Sequence, residues 1–481
     1  MPRASSPRER RPVSAAAPSP PPAPGSASAP APETAAAPVC IIGAGPAGLA
    51  VARALAERGI PYRHLERHSG VGGLWDIDAP GTPMYESAHF ISSRTVSGFS
   101  GYPMPDDYPD YPDHRQILTY LRGFADAYGL TERIEFGAEV ASVERAGTLW
   151  EVSLADGTVS RHRAVVVCTG SQWHPYSPEI PGDFTGEVRH SVEYRSPQEF
   201  AGKRVLVVGG GNSGCDIACD AARTADTAAI SLRRGYWFIP KHVFGLPSDI
   251  VGGKGSFLPK PLERAILQPI LRLLNGDPTR LGLQRPDHKL FETHPVVNSM
   301  LLHHLQHGDI HARPGIRTTS GSTVEFTDGS REEFDLILLA TGYQHRVPVA
   351  QRYFGDEQHP DLYLNCCSRE HPGLYGVGFI ETNSGAYQLF DRQAHLIAGY
   401  LDDQASRPAA ARAFAERIRT DRPELSGGLR FDASPRHRGY VDSDAYVKHI
   451  ERLAKRQGWP LSGRPPAAAA TPARARAGVP A

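Results

Sequence analysis

Two glycine clusters are the residues best placed to do chemistry in this chain: Gly43-Ala-Gly45-Pro46-Ala47-Gly48 and Gly209-Gly-Gly211-Asn212-Ser213-Gly214. Glycine permits the tight turn and lets backbone N–H groups approach an anion closely. A helix that follows adds the partial positive charge of its N-terminus, so each cluster suits the pyrophosphate of a dinucleotide. About 20 residues past the first cluster stand Glu66 and Arg67, where a carboxylate meets ribose hydroxyls. The corresponding position past the second cluster holds Arg233-Arg234. An acid there would repel a 2′-phosphate and arginine pairs with it, which favours NADPH over NADH.

The elements around these residues are those that such chemistry requires. Pro38-Val-Cys-Ile-Ile reads as a strand, LAVARALAERG as a helix ending at Gly59, and Tyr62–Glu66 as the next strand. Lys203–Val208, the CDIACDAAR helix and Thr227–Leu232 repeat the plan. A further turn, Gly70-Val-Gly-Gly73-Leu74-Trp75, can lay backbone against the first cofactor while Trp75 covers it; a core tryptophan on a glycine turn is the alternative.

Two apolar runs, Ala164–Cys168 and Asp335–Ala340, end in Thr169-Gly170 and Thr341-Gly342. These paired endings predict that the chain leaves a first module near 170–195, builds a second, and returns near 320–345. The expected fold is α/β, with two Rossmann-like dinucleotide-binding domains, the second inserted in the first. The expected parts are a first portion at 38–195, a nucleotide domain at 196–320 with an insert at 245–290, and a second portion at 321–458. Residues 1–37 and 459–481, rich in Ala and Pro, read as disordered tails.

Composition narrows the class. Lys+Arg and Asp+Glu are both 52 in 481 residues, which gives no electrostatic reason to expect nucleic acid as a partner. The six cysteines form no C-x-x-C pair, so neither zinc nor a disulfide framework is expected, and a reducing, cytoplasmic setting fits. His303 and His307 stand at i, i+4 without a third ligand, so no metal is expected. No apolar run approaches the roughly 18 residues of a spanning helix. Residues 257–274 read as an amphipathic helix interrupted by Pro269, suited to a lid or a homodimer contact, with contact to a membrane surface as the alternative.

Phe184-Thr-Gly186-Glu-Val-Arg-His190-Ser-Val-Glu-Tyr194 matches the F-x-G-x-x-x-H-x-x-x-[YF] pattern of flavin-containing monooxygenases. With both glycine clusters and the Ala340–Tyr343 ending, the chain resembles that family over about residues 38 to 400. Baeyer–Villiger monooxygenases are similar but carry Trp at the position of Tyr194. The flavin-facing dithiol of pyridine-nucleotide–disulfide reductases is absent. The resemblance implies FAD and NADPH as cofactors, with O₂ and a small molecule as substrates. On that resemblance NADPH would reduce FAD, the reduced flavin would capture O₂ as a C4a-hydroperoxide, one oxygen would pass to an amine nitrogen or a sulfide, and loss of the other as water would restore the flavin. His190 and Tyr194 are expected to shape the passage between domains. Asn383, Gly385, Tyr387 and Gln393 fall where the family's returning chain approaches the flavin.

One position departs from the family. An Asn commonly lies six residues past the tyrosine matched by Tyr85, and here that position is Ile91. Isoleucine neither donates nor accepts a hydrogen bond. Ser92, Ser93 or His89 then takes that role, or the protein behaves as an oxidase that releases peroxide.

Overall fold

The computed structural model describes residues 37–253, 260–294, 296–355, 360–431 and 439–466. Residues 1–36 and 467–481, most of the two expected tails, lie outside the described residues. Val39–Ile42 pairs in parallel with Tyr62–Glu66 on one side and Ala164–Val167 on the other, in register Ile42 to Leu65 and Ile42 to Val167. Ile134–Phe136 and Leu374–Gly376 extend this sheet in parallel, and two short antiparallel strands, Cys367–Ser368 and Leu362–Tyr363, complete its seven. All four residues of Val39–Ile42 and of Ala164–Val167 are buried, as continuous apolar strands covered on both faces require.

The second sheet has five strands, all parallel. Their order is His311–Arg313, Thr227–Ser231, Arg204–Val208, Leu336–Leu339 and Glu187–His190. Two of these correct the expected boundaries. Glu187–His190 was expected in the first module and Leu336–Leu339 after the return to it, yet they pair with each other, His190 to Leu339. The second module therefore begins before residue 187 and ends after residue 339. Which sheet an apolar run joins is decided by partners far away in the chain, and a local reading does not contain them.

Helix Pro46–Glu57 buries the run Ala47–Leu55 against helix Tyr387–Ser406, whose inner face is also buried. Small residues on the first helix permit that close packing. The second expected tail also needs correction at its start. Trp459 is buried, its indole N–H donates to Asp403 at 3.1 Å, and Arg464 N–H donates to Glu57 at 3.0 Å. One tryptophan gives this Pro-rich stretch an anchor that composition does not register.

Candidate active site

The two glycine clusters are built alike. Gly43 has φ +104°, and a Cβ there would stand 2.6 Å from the Cys168 carbonyl oxygen; Gly209 has φ +123°, and its Cβ would stand 2.3 Å from that of Ala340. The last glycine of each cluster faces the first: a Cβ on Gly48 would meet the Gly43 oxygen at 1.8 Å, and one on Gly214 the Gly209 oxygen at 2.2 Å. Glycine is thus obligatory at these four positions. Pro46 opens the first helix from Gly45, and Asn212 opens the second from Gly211. Neither N-cap residue supplies a side-chain hydrogen bond, so the first-turn N–H groups remain for an anion. Ala47 is buried behind its loop, and Ser213 is exposed at the mouth of the other.

Glu66 braces the first loop. One carboxylate oxygen accepts Ala44 N–H at 2.5 Å and the other accepts His68 N–H at 2.8 Å. His64, absent from the expected site, lies beneath: its Nε2 is 2.9 Å from the Gly43 carbonyl, and burial holds its pKa down to about 4. The ring is therefore neutral, with Nε2–H donating. Arg67 lies over the Trp173 ring, 4.4 Å from its centre, beside Gly170. The Thr169 hydroxyl is buried without a hydrogen-bond partner. A turn that excludes Cβ atoms, an open helix end, a carboxylate bracing the loop from behind and this free hydroxyl fit a dinucleotide such as FAD.

Around the second loop, Asn212 accepts Val297 N–H at 2.8 Å. At the end of strand Thr227–Ser231, Arg233 is exposed and Arg234 half-buried, its guanidinium 5.8 Å from the centre of the Tyr236 ring. That set fits a second dinucleotide bearing a 2′-phosphate.

Gly73-Leu74-Trp75 forms a single turn of 3₁₀ helix between the modules. A Cβ on Gly73 would stand 2.9 Å from Gly45 Cα, so this turn rests directly on the first loop. Leu74 packs on the second module's core, and Trp75 on the cores of both. Trp75 stacks on Phe90, and Phe90 meets Tyr387 edge-on at 5.5 Å. Trp75, Phe90 and Tyr387 thus form one aromatic cluster where the two cores meet.

His190 and Tyr194 lie within the second module, His190 at the end of its edge strand and Tyr194 in its core. His190 Nδ1 accepts Val192 N–H at 3.1 Å and its Nε2–H donates to the Gly342 carbonyl at 3.1 Å, so both nitrogens are committed and the buried ring is held neutral. Tyr194 is fully buried and stacked on Phe200, its hydroxyl donating to Asp220 at 3.0 Å. Beside them the outgoing and returning crossovers run together. Pro175 and Tyr343 form an antiparallel bridge, Thr341 Oγ1 donates to the Tyr176 carbonyl at 2.5 Å, and Gln344 N–H donates to His174 at 2.8 Å.

The segment around Ile91 sorts the expected substitutes. Ile91 is 39% exposed. His89 is exposed, with Nδ1 2.6 Å from the Ser87 carbonyl. Ser97 donates to the Ser93 carbonyl at 2.7 Å, which leaves Ser92 to donate to Ser97 Oγ at 2.7 Å. Ser93 alone keeps a hydroxyl that is buried and unpartnered.

Gln393 is not with the other site residues. It is fully buried in helix Tyr387–Ser406, and its amide donates to the carbonyls of Leu364 and Asn365 at 3.1 and 3.4 Å. Those two residues have φ of +51° and +55°, a turn in the left-handed region that the amide holds in place. This corrects the expected cofactor contact.

Among the described residues no helix is long and apolar enough to cross a membrane, and no three His, Cys, Asp or Glu are grouped to hold a metal.

Comparison with known proteins agrees with this geometry. The family model described as flavin-binding monooxygenase-like matches residues 36–454. The indole-3-pyruvate monooxygenase YUCCA1 of Oryza sativa subsp. japonica is 34% identical over 354 residues, covering 71% of this chain and 86% of the relative. Flavin-containing monooxygenase 5 of Rattus norvegicus is 30% identical over 442 residues, 86% of this chain and 82% of the relative. The solved structure of S-allyl-L-cysteine S-oxygenase from Allium sativum shares the fold, with a TM-score of 0.61 at 23% identity over 88% of this chain and 89% of that one. A match that takes in both glycine loops, the His190–Tyr194 segment and the returning helices places this chain in the flavin-binding monooxygenase-like family, as an FAD-dependent, NADPH-using monooxygenase.

Proposed function

We propose that the protein transfers one oxygen atom from O₂ to a soft nucleophile, an amine nitrogen or a sulfide sulfur, on a small molecule. The observation that carries this reading is the pair of loops of the same build, with Gly73 resting on Gly45 of the first and Leu74 and Trp75 beside it packed on the second module's core. FAD supplies the oxygen-activating chemistry when bound, and NADPH supplies its electrons.

Gly43, Gly45, Pro46, Ala47 and Gly48 would hold the FAD pyrophosphate, with Glu66 and Arg67 toward the ribose. Gly73, Leu74 and Trp75 would lie along the flavin half, and Thr169 and Gly170 close that site. Gly209, Gly211, Asn212, Ser213 and Gly214 would hold the NADPH pyrophosphate, with Arg233 and Arg234 toward its 2′-phosphate and Thr341 and Gly342 beside them. The aromatic cluster excludes water, which otherwise diverts oxygen to peroxide. Ser93 supplies the hydroxyl that Ile91 lacks. Six free, buried cysteines support a reducing, cytoplasmic setting. The exposed face of helix Lys260–Asn275, with Leu262, Ile266, Ile270 and Leu273, supports a homodimer, which sedimentation equilibrium tests.

The deciding experiment measures NADPH oxidation, O₂ uptake and peroxide release with and without tertiary amines and thioethers. Product formed in proportion to NADPH supports the reading; peroxide equal to NADPH under every condition replaces it with an oxidase. Indole-3-pyruvate belongs in the panel because relatives carry that name.

A further inference from the structure

Helix Asn212–Thr224 consists largely of small apolar residues, yet it carries two carboxylates one turn apart, Asp216 and Asp220. A buried carboxylate costs several kcal/mol unless donors surround it. Two of the groups that meet them, Tyr85 and Ser87, come from outside the second module. Asp220, 1% exposed, accepts the hydroxyl of Ser87 and, at 3.0 Å, that of Tyr194, with Arg223 at 3.5 Å. Asp216 accepts the Asn298 amide at 2.6 Å and faces the Tyr85 hydroxyl at 3.5 Å.

Tyr85 and Ser87 belong to a strip that joins the two halves of the site. Glu86 N–H donates to the Arg195 carbonyl at 2.8 Å, and Met84, Tyr85 and Ala88 pack into the second module's core. A few residues on, Phe90 stacks against Trp75. At the other end, Asp216 and Asp220 continue the helix that Asn212, Ser213 and Gly214 begin. One strip thus ties the expected nicotinamide loop to the expected flavin wall, and its Ser87 hydroxyl meets that of Tyr194 on one carboxylate, Asp220.

We propose that Asp220 is a positioning residue: by clasping Ser87 and Tyr194 it fixes the second nucleotide loop against the Trp75–Phe90 wall and so sets the geometry of hydride delivery from NADPH to FAD. This rests on the cofactor assignment above. It touches neither cofactor nor substrate, so its effect falls on alignment and not on affinity. Misplacing reacting groups by about 1 Å costs on the order of a hundredfold in rate.

The test is the Ser87→Ala/Tyr194→Phe double variant, which removes two hydroxyls and leaves ring and backbone in place. Anaerobic reduction by NADPH is followed by flavin absorbance, and module arrangement by small-angle X-ray scattering. The limiting reduction rate is expected to fall at least about tenfold, while NADPH affinity, flavin content and reduction by dithionite stay near those of the parent and the radius of gyration rises. The single variants fall between, and they decide the matter if the double variant does not fold. A double variant, or failing it single variants, with the parent's reduction rate and radius overturns the proposal. A radius that rises in a protein whose parent NADPH never reduces supports the clasp and instead removes the cofactor assignment.

Discussion

Trp75 and Phe90 lie face to face, ring centres 4.9 Å apart and planes 12° from parallel. Their contact closes the segment between them, whose Met84, Tyr85 and Ala88 pack into the second module's core. Replacing Phe90 by Leu keeps an apolar side chain but loses the stack, an effect of about 1 kcal/mol on stability. Urea unfolding measures that loss. The same variant is expected to release more peroxide per NADPH than the parent, because the wall no longer seals.

The glycine contacts separate the two loops. Gly48→Ala places a methyl within 1.8 Å of the Gly43 oxygen, and the protein is expected to purify without flavin. Gly214→Ala places one 2.2 Å from the Gly209 oxygen. That variant keeps its yellow colour while NADPH affinity falls roughly ten- to hundredfold, the equivalent of about 1–3 kcal/mol of overpacking. Flavin absorbance and an NADPH titration read the two outcomes independently.

If Arg233 and Arg234 hold the 2′-phosphate as proposed, they set the choice of reductant. Changing both to Ala removes charge-assisted hydrogen bonds worth about 1.5–3 kcal/mol each to a phosphate. The kcat/KM for NADPH is expected to fall at least about tenfold and that for NADH to stay level, so their ratio moves toward one.

Asp216 gives the protein a pH signature. Burial pushes its carboxyl up to about 6, Lys241 and the Asn298 amide oppose that rise, and Asp220 adds to it, with Tyr85 and His89 facing the same group. An acid whose folded pKa lies above its unfolded value binds more protons when folded. Its penalty is therefore present in full above pH 6 and is relieved as pH falls toward 4. Relative to Asp216→Asn, the parent should gain about 1 kcal/mol between pH 7 and pH 5. Buried His64, held near pKa 4, acts in the opposite direction in both proteins and cancels in the comparison. Parallel urea midpoints across that range would remove Asp216 as the source.

Much of this site was legible because its constraints are local. A turn that admits no Cβ leaves glycines at fixed spacing, and a strand that must end beside it leaves an apolar run and Thr-Gly. Membership in a sheet is not local, so Glu187–His190 and Leu336–Leu339 were placed in the wrong module. Gln393 was carried over by position, whereas its burial beside Leu364 and Asn365 depends on a turn that no motif announces. Asp216 and Asp220 did leave a signal, two acids in a helix of buried small residues, but its meaning came only with Ser87 and Tyr194 beside them.

The bridge between Pro175 and Tyr343 has a mechanical consequence. The two crossovers are hydrogen-bonded side by side, with Thr341 tied to Tyr176 and Gln344 to His174. Sliding one crossover along the other would break all of these bonds at once, so together they hold the two modules in one register.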